Sequence, residues 1–327
     1  MSKDSNFIFK KKTAFGDFTD GLLIPESDLC FQDSNFIYQF EYKKSDNEKN
    51  VEIAPGTYVL ADVPGGLDLK KIEFKRRNLL ETVSNTSKIL AEANKFFNRL
   101  HVYDKLQRPK KRGVLLYSAP GMGKTSAIEK VCTDLMDNDP GTVVLVWPTS
   151  EIEADDMVKF LTVQAEYKAD CTRVVLIMED IGGGESARHH SSSGVDSGLL
   201  NLLDGVGVVF KLPTFIIATT NHPESLLASL ADRPGRFDLM LKLTPPSHEE
   251  KIQLMTFIAK RELSQEEKDA LGVSGTEKFS VAHLEEIAVR AELDDKTYQQ
   301  VVKEIVDHQK LFAKDFQESD RTMGFLD

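Results

Sequence analysis

Residues 114–125, Val114-Leu-Leu-Tyr-Ser-Ala-Pro-Gly-Met-Gly-Lys-Thr125 (VLLYSAPGMGKT), decide the fold. An apolar run of strand type ends in a Pro-Gly and Gly-Lys turn, and a segment with helical periodicity follows. Strand, glycine loop and helix in that order make a phosphate cradle. Gly121 and Gly123 let the backbone close around an anion. A helix starting near Lys124 aims its first N–H groups at that anion. Lys124 is placed to neutralise β- and γ-phosphates and Thr125 to ligate Mg²⁺. Pro120, Gly121, Met122, Gly123, Lys124, Thr125 and Ser126 are therefore the expected cofactor-binding residues, with ATP and Mg²⁺ as cofactors. The strict pattern G-x-x-x-x-G-K-[ST] fails at one position, where Ser118 stands for the first glycine.

Further along, apolar strands alternate with helical stretches. Val143–Trp147, Val174–Met178 and Thr214–Thr219 are mostly continuous apolar runs, as strands buried on both faces require. Their alternation with helices predicts a parallel sheet. Two of these strands end in chemistry. VVLIMED (174–180) carries Glu179 and Asp180 at its tip. One acid can hold the Mg²⁺ shell while the other orients or deprotonates the attacking water. IIATTNHP (216–223) carries Asn221, which could position the water or sense the γ-phosphate. DRPGRFD (232–238) supplies Arg233 and Arg236, which in an oligomer could reach the neighbouring subunit's nucleotide. Each has a plainer reading: a polar strand end, a turn asparagine, and arginines paired within their own chain.

The flanks differ in texture. Residues 1 to about 75 read as short strands and turns. NFIYQFEY (35–42) alternates with period two, and Thr57–Ala61 and Ile72–Phe74 are further strands between Pro55-Gly56 and Pro64-Gly65. A helix follows, with Ile89, Ala93, Phe96, Phe97 and Leu100 on one face. Then comes a basic stretch, Lys105, Arg108, Lys110, Lys111 and Arg112. It reads as a solvated loop leading into a strand, or else as a nucleic-acid patch. Beyond Pro246 the pattern is helical. Three parts are expected: a β-rich recognition domain at 1–80, an α/β nucleotide domain at 81–245, and a helical lid with tail at 246–327.

Composition sets the limits. Of 327 residues 41% are hydrophobic, too many for a disordered chain. The formal charge is −11, and residues 246–327 hold 11 basic against 18 acidic residues, a balance of −7. An acidic chain disfavours a nucleic-acid track, and because most of the charge sits in the lid it does not disfavour a nucleotide. Cys30, Cys132 and Cys171 are scattered and form no C-x-x-C pair, so neither a disulfide framework nor a zinc site is expected. His189 and His190, after the glycines at 182–184, lack further ligands nearby and read as a solvated loop. The N-terminus has no signal-peptide core and no run of about 18 apolar residues occurs. A reducing, cytoplasmic setting without a membrane span is the expectation.

Together these motifs resemble the AAA ATPases, from about Arg112 to Leu243. Within them the chain looks most like the group containing the mitochondrial translocase of the Rieske iron–sulfur protein. RGVLLY before the loop, the Glu179-Asp180 order, and SGLLNLLDGV (197–206) leading to TTNHP and RPGRFD carry that likeness. The resemblance implies an AAA+ P-loop parallel-sheet domain with a C-terminal helical lid, and a homo-oligomeric ring of six or seven subunits. It implies nucleotide at Lys124 and Thr125, hydrolysis by Glu179 and Asp180, Asn221 as sensor, and Arg233 and Arg236 as fingers acting in trans. The chain departs from the family in lacking an aromatic-apolar-glycine pore loop after Trp147 and an arginine at the start of the Ser280 helix. The leading expectation is ATP-driven remodelling or translocation of a protein partner. A slow nucleotide-dependent assembly switch and a nucleic-acid motor or loader are the alternatives.

Overall fold

A computed structural model of the protein describes residues 7–12, 22–24, 37–42, 50–63, 66–74, 85–149, 151–182, 197–205, 209–223 and 236–323, with side chains between 50 and 311. The strands are β1 (Phe7–Lys12), β2 (Leu22–Ile24), β3 (Ile37–Tyr42), β4 (Val51–Ile53), β5 (Gly56–Val63), β6 (Gly66–Ile72), β7 (Lys111–Tyr117), β8 (Thr142–Trp147), β9 (Ala165–Tyr167), β10 (Arg173–Met178), β11 (Thr214–Thr220) and β12 (Leu239–Lys242). The helices are α1 (Thr86–Phe97), α2 (Leu100–Lys105), α3 (Lys124–Asn138), α4 (Ala154–Lys159), α5 (Ser197–Asp204), α6 (His248–Ala259), α7 (Gln265–Ala270), α8 (Val281–Leu293) and α9 (Tyr298–Met323). A π-helical turn, Phe160–Gln164, extends α4.

The central sheet has seven strands in the order β12-β7-β11-β10-β8-β5-β6. All neighbours run parallel except the β5–β6 hairpin. The apolar runs explain this placement. Every residue of β11 is buried, and so is all of β10 after Arg173. Alternation along each strand sorts side chains into two layers. Leu115, Leu176, Met178, Ile216 and Ala218 face Met157, Phe160, Leu199 and Leu202. Val114, Leu116, Val175, Ile177, Phe215 and Ile217 face Ile89 and Phe96 of α1 and Ile128, Val131 and Leu135 of α3. The helix that carries the glycine loop thus lies on the odd-numbered face of β10 and β11. Truncating a fully buried core residue such as Phe215 would cost about 3–5 kcal/mol. Trp147 belongs to the core, with its indole N–H donating to the Ile152 carbonyl at 2.9 Å.

The boundary expected at residue 80 does not divide the sheet. β5 pairs in parallel with β8, and β4 with β9. Residues 51–72 therefore extend the nucleotide domain, and among the described residues β1–β3 form a separate antiparallel sheet. Of the Pro-Gly punctuation around Thr57–Ala61, Pro55 bends the chain just before β5, and Pro64-Gly65 lies outside the described residues. Such punctuation carries no information on a partner strand that lies far along the chain. The edge strand β6 bears Lys70 and Lys71, charges that discourage further edge pairing.

The lid forms its own core around Met255, Leu271, Phe279, Leu284, Ile287 and Val301. Three of its helices begin with reciprocal capping boxes: Ser247 with Glu250, Ser264 with Glu267, and Ser280 with His283. The first two follow the S-x-x-E signature.

Candidate functional site

The loop after β7 takes the shape its glycines predict. Gly121 and Gly123 have φ of 76° and 81°, a region where side chains are disfavoured. The lid closes over them. A Cβ on Gly121 would lie 2.9 Å from the Ser280 hydroxyl and 3.1 Å from the Ala282 Cβ. The Ala282 N–H donates to the Gly121 carbonyl at 3.1 Å. This lid edge, Ser280 to Ala282, is a part of the site that sequence reasoning missed. Its one signal, a capping serine, is obscured because His283 stands where Glu or Gln completes the usual box.

Lys124 opens α3 and is buried, with 9% of its surface exposed. Its ammonium reaches the Asn221 Oδ1 at 2.6 Å, the Ser118 Oγ at 2.9 Å, and the Ser118 and Ala119 carbonyls at 3.2 and 3.4 Å. Burial pulls its pKa below the usual lysine value, and the nearby Asp180 carboxylate opposes that shift. Ser118, the departure from the strict loop pattern, thus places its hydroxyl on Lys124. The same hydroxyl donates to the Ala119 carbonyl at 2.8 Å.

Three strand tips converge at Lys124. Asn221 follows the odd-numbered face of β11, the face on which α3 packs. Its backbone N–H and its side-chain amide both donate to the Asp180 Oδ1, at 3.1 and 2.9 Å. Asp180 itself adopts φ 51°, unusual for a residue other than glycine. Its N–H is tied to the Thr219 hydroxyl at 2.9 Å. That bend takes Asp180 off the strand alternation and turns it to Asn221. Glu179 directly follows β10, which ends at Met178. The Thr149 hydroxyl fixes the Glu179 carbonyl at 2.8 Å. Of the two acids, Asp180 is the one held by Asn221.

The arginines part ways. Arg233 lies outside the described residues, as do His189 and His190. Arg236 is 3% exposed and grips Asp204 of its own chain, Nε to Oδ1 at 3.1 Å and Nη2 to Oδ2 at 3.2 Å. The single chain does not bring it to the phosphate loop. Its carbonyl would sit 2.9 Å from a Cβ on Gly113, near the opposite end of β7. Asp238 bonds the Gly113 N–H at 2.8 Å and Arg112 at 2.8 Å, and Arg112 also pairs with Glu92 at 2.6 Å. The RG of RGVLLY and the RFD of RPGRFD are thus two halves of one contact. Much of the basic stretch is engaged within the chain: Lys110 with Asp104, Lys111 with the Leu203 carbonyl, and Arg112 as above.

The residues fit a nucleotide with Mg²⁺. Two glycines at positive φ let the loop curl, and a buried ammonium lies at it beside the Ser118 hydroxyl, the Asn221 amide oxygen and, farther off, the Asp180 carboxylate. Among the described residues no cluster of three or more His, Cys, Asp or Glu is assembled. A Mg²⁺ held with substrate phosphates needs only one or two carboxylates.

Comparison with known proteins agrees with this geometry. Residues 114–245 match the family described as "ATPase family associated with various cellular activities (AAA)", so the chain carries an AAA ATPase domain over those residues. The "Probable mitochondrial chaperone bcs1" of Schizosaccharomyces pombe is 32% identical over 180 residues, which covers 53% of this chain and 37% of the relative. The "Probable mitochondrial chaperone BCS1-A" of Dictyostelium discoideum is 30% identical over 181 residues, 52% of this chain and 40% of its own. The "ATPase family gene 2 protein homolog B" of Homo sapiens is 29% identical over 223 residues, 61% of this chain and 29% of its own. The chain therefore spans about a third of the length of such relatives. The likeness to the group of the Rieske protein translocase, read from local motifs, is matched by these chaperone relatives.

Proposed function

We propose that this AAA ATPase works as a homo-oligomeric ring that couples ATP hydrolysis to remodelling of a protein partner, in a reducing, cytoplasm-like compartment. The observation that carries the reading is the hydrogen-bonded line Asp180–Asn221–Lys124 at the mouth of the glycine loop. The loop N–H groups and the Lys124 ammonium bind the β- and γ-phosphates. The Thr125 hydroxyl and the Glu179 carboxylate are the groups that would hold Mg²⁺. When bound, the ion offsets negative charge developing on the phosphate oxygens. Asp180, steered by Asn221, orients the attacking water and receives its proton. Arg233 of a neighbouring subunit is the finger candidate, and Arg236 would serve in trans only by giving up Asp204. Chaperone-named relatives support a partner-remodelling role. Two described cysteines, both buried and free, accord with a reducing compartment.

The test is ATP turnover by the full chain. Lys124→Ala should lower it by about 100-fold or more, and wild-type turnover in that variant would overturn the site. Particle mass with and without a non-hydrolysable ATP analogue tests the ring. Mixing Arg233→Ala with Lys124→Ala subunits should partly restore hydrolysis if the arginine acts in trans. A slow assembly switch is the second reading. It is favoured by the four protein oxygens that already engage Lys124 and that a nucleotide has to displace. Strong ATP-dependent assembly with very slow turnover would select it. The nucleic-acid motor loses support, because its basic stretch is largely paired within the chain.

A further inference from the structure

Helix α8 begins on the phosphate loop. Ser280 and Ala282 crowd Gly121, and the Val281 side chain lies 3.9 Å from where a Cβ on Gly123 would sit. A capping box fixes that helix start. The Ser280 hydroxyl accepts the His283 N–H at 3.4 Å, and the Ser280 N–H donates to the His283 Nδ1 at 3.2 Å. The other two boxes of the lid use glutamates in this position. The imidazole also stacks on Phe279, with ring centroids 5.1 Å apart and planes 10° from parallel. Its Nε2 lies 3.0 Å from the side-chain amide nitrogen of Gln309 on α9. One ring thereby joins the C-terminal helix, the lid helix and, through Ser280, the glycine loop.

We propose that neutral His283 is a positioning residue for nucleotide binding, clamping the start of α8 onto the phosphate loop, and that protonation of its ring releases the clamp. The inference rests on the reading of residues 118–125 as an ATP site. A neutral imidazole has one donor and one acceptor nitrogen, and an imidazolium has two donors. With the proton on Nε2, Nδ1 accepts the Ser280 N–H, and the Gln309 amide turned end for end offers its oxygen to Nε2. A proton on Nδ1 would let the ring donate to the Ser280 hydroxyl, 2.7 Å away, but would face the Ser280 N–H donor to donor. The capping box, in which Nδ1 accepts that N–H, therefore selects the Nε2–H tautomer. Protonation removes the Nδ1 acceptor, and the imidazolium would then set donor against donor at the helix start. It would also place a cation at the end of α8 where the helix dipole is positive.

The ring's polar and aromatic neighbours are Phe279 and Ser280 before the helix and Gln309 from α9, none of them charged. Among the described residues burial alone holds the His283 pKa below the usual histidine value. A depressed pKa means that the clamp is complete above about pH 6.5, the ordinary value. It is lost as the pH falls through the lower value of the docked state. The window is therefore mildly acidic.

The experiment measures the affinity of the full chain for a fluorescent ATP analogue with Mg²⁺ between pH 7.5 and 5.5. Wild type, His283→Gln and His283→Ala are compared, with steady-state KM and kcat alongside. Glutamine is the other residue that completes a capping box and does not titrate. Wild type should weaken roughly 5-fold more than His283→Gln on acidification, the scale of a lost cap. His283→Gln should bind as wild type does at pH 7.5 and hold that affinity in acid. His283→Ala should show a raised KM at both pH values with kcat within about twofold, since a cap affects docking and not chemistry. Equal acid weakening of wild type and His283→Gln would overturn the proposal. Should His283→Ala fail to fold, the comparison of wild type with His283→Gln still decides. Absence of nucleotide binding by wild type at pH 7.5 would overturn the ATP-site reading itself, an outcome distinct from a pH profile that His283→Gln shares.

Discussion

Replacing Gly121 by alanine asks whether the lid and the glycine loop form one binding site. Two costs follow from the geometry. The first is conformational: φ is 76°, and an L residue held in that region loses about 1 kcal/mol. The second is steric, because the new Cβ would fall 2.9 Å from the Ser280 hydroxyl and 3.1 Å from the Ala282 Cβ. Neither neighbour is free to swing away. The Ser280 hydroxyl lies 2.7 Å from the His283 ring, and Ala282 is fixed to the helix backbone. The lid edge must retreat, and the 3.1 Å bond from the Ala282 N–H to the Gly121 carbonyl lengthens or breaks, at a further cost of about 1 kcal/mol. The sum is about 2 kcal/mol, or roughly 30-fold in nucleotide affinity. Gly123→Ala is the internal control. It has the same backbone problem at φ 81°, but its nearest neighbour is 3.9 Å away, an ordinary contact. It should lose only the conformational term, roughly 5-fold. Titration of both variants with a fluorescent nucleotide at pH 7.5 reads the ratio, and amide exchange at residues 280–284 reports the lid edge directly. Equal weakening in the two variants, with unchanged exchange at the lid edge, would refute the claim that lid contact contributes to binding.

Asn221→Ala removes the 2.6 Å partner of Lys124 and the 2.9 Å side-chain bond to Asp180, leaving the backbone N–H bond to that carboxylate at 3.1 Å. Single-turnover hydrolysis should slow by roughly 100-fold, with nucleotide affinity changed far less. Asp204→Ala takes the carboxylate away from the buried Arg236 guanidinium. Because Asp204 keeps 24% exposure, the expected loss is about 2 kcal/mol rather than the full cost of a buried pair, measured by urea unfolding. Glu267 is held near a pKa of about 2, chiefly by the Arg261 side chain. Its contribution to lid stability is full above the ordinary glutamate value of about 4.3 and is lost as the pH falls toward 2. Glu267→Gln should flatten that part of the acid unfolding curve, followed by helix circular dichroism.

The strands of the nucleotide domain were legible because their burial on both faces forces an unbroken apolar code. TFIIATT and RVVLIM have no other sensible reading, and the structure places them in the middle of the sheet. The loop residues were legible for a different reason: a backbone that must wrap an anion needs Gly121 and Gly123 at fixed spacing. β5 was legible as a strand and not as a member of this sheet. Its half-buried pattern fits any sheet with one covered face, and its pairing with β8 is a long-range fact that no local period encodes. The domain boundary moved for that reason.

Ser118 and His283 mark where a pattern reading stops. Both stand where a motif expects a different residue, and at sequence level each counts only as a mismatch. In space each mismatch is a contact. The Ser118 hydroxyl sits 2.9 Å from the ammonium that the motif exists to position. The His283 ring completes a helix cap that closes on the glycine the motif exists to supply. A template scores a position by identity, whereas binding depends on which donor faces which acceptor. The Ser118 hydroxyl therefore gives Lys124 a hydrogen bond that a glycine at that position could not supply. The same holds at the lid, where an imidazole and a carboxylate cap a helix equally well until the ring takes up a proton. What sets this ATPase domain apart chemically thus lies at the positions where its sequence least resembles the pattern that identifies it.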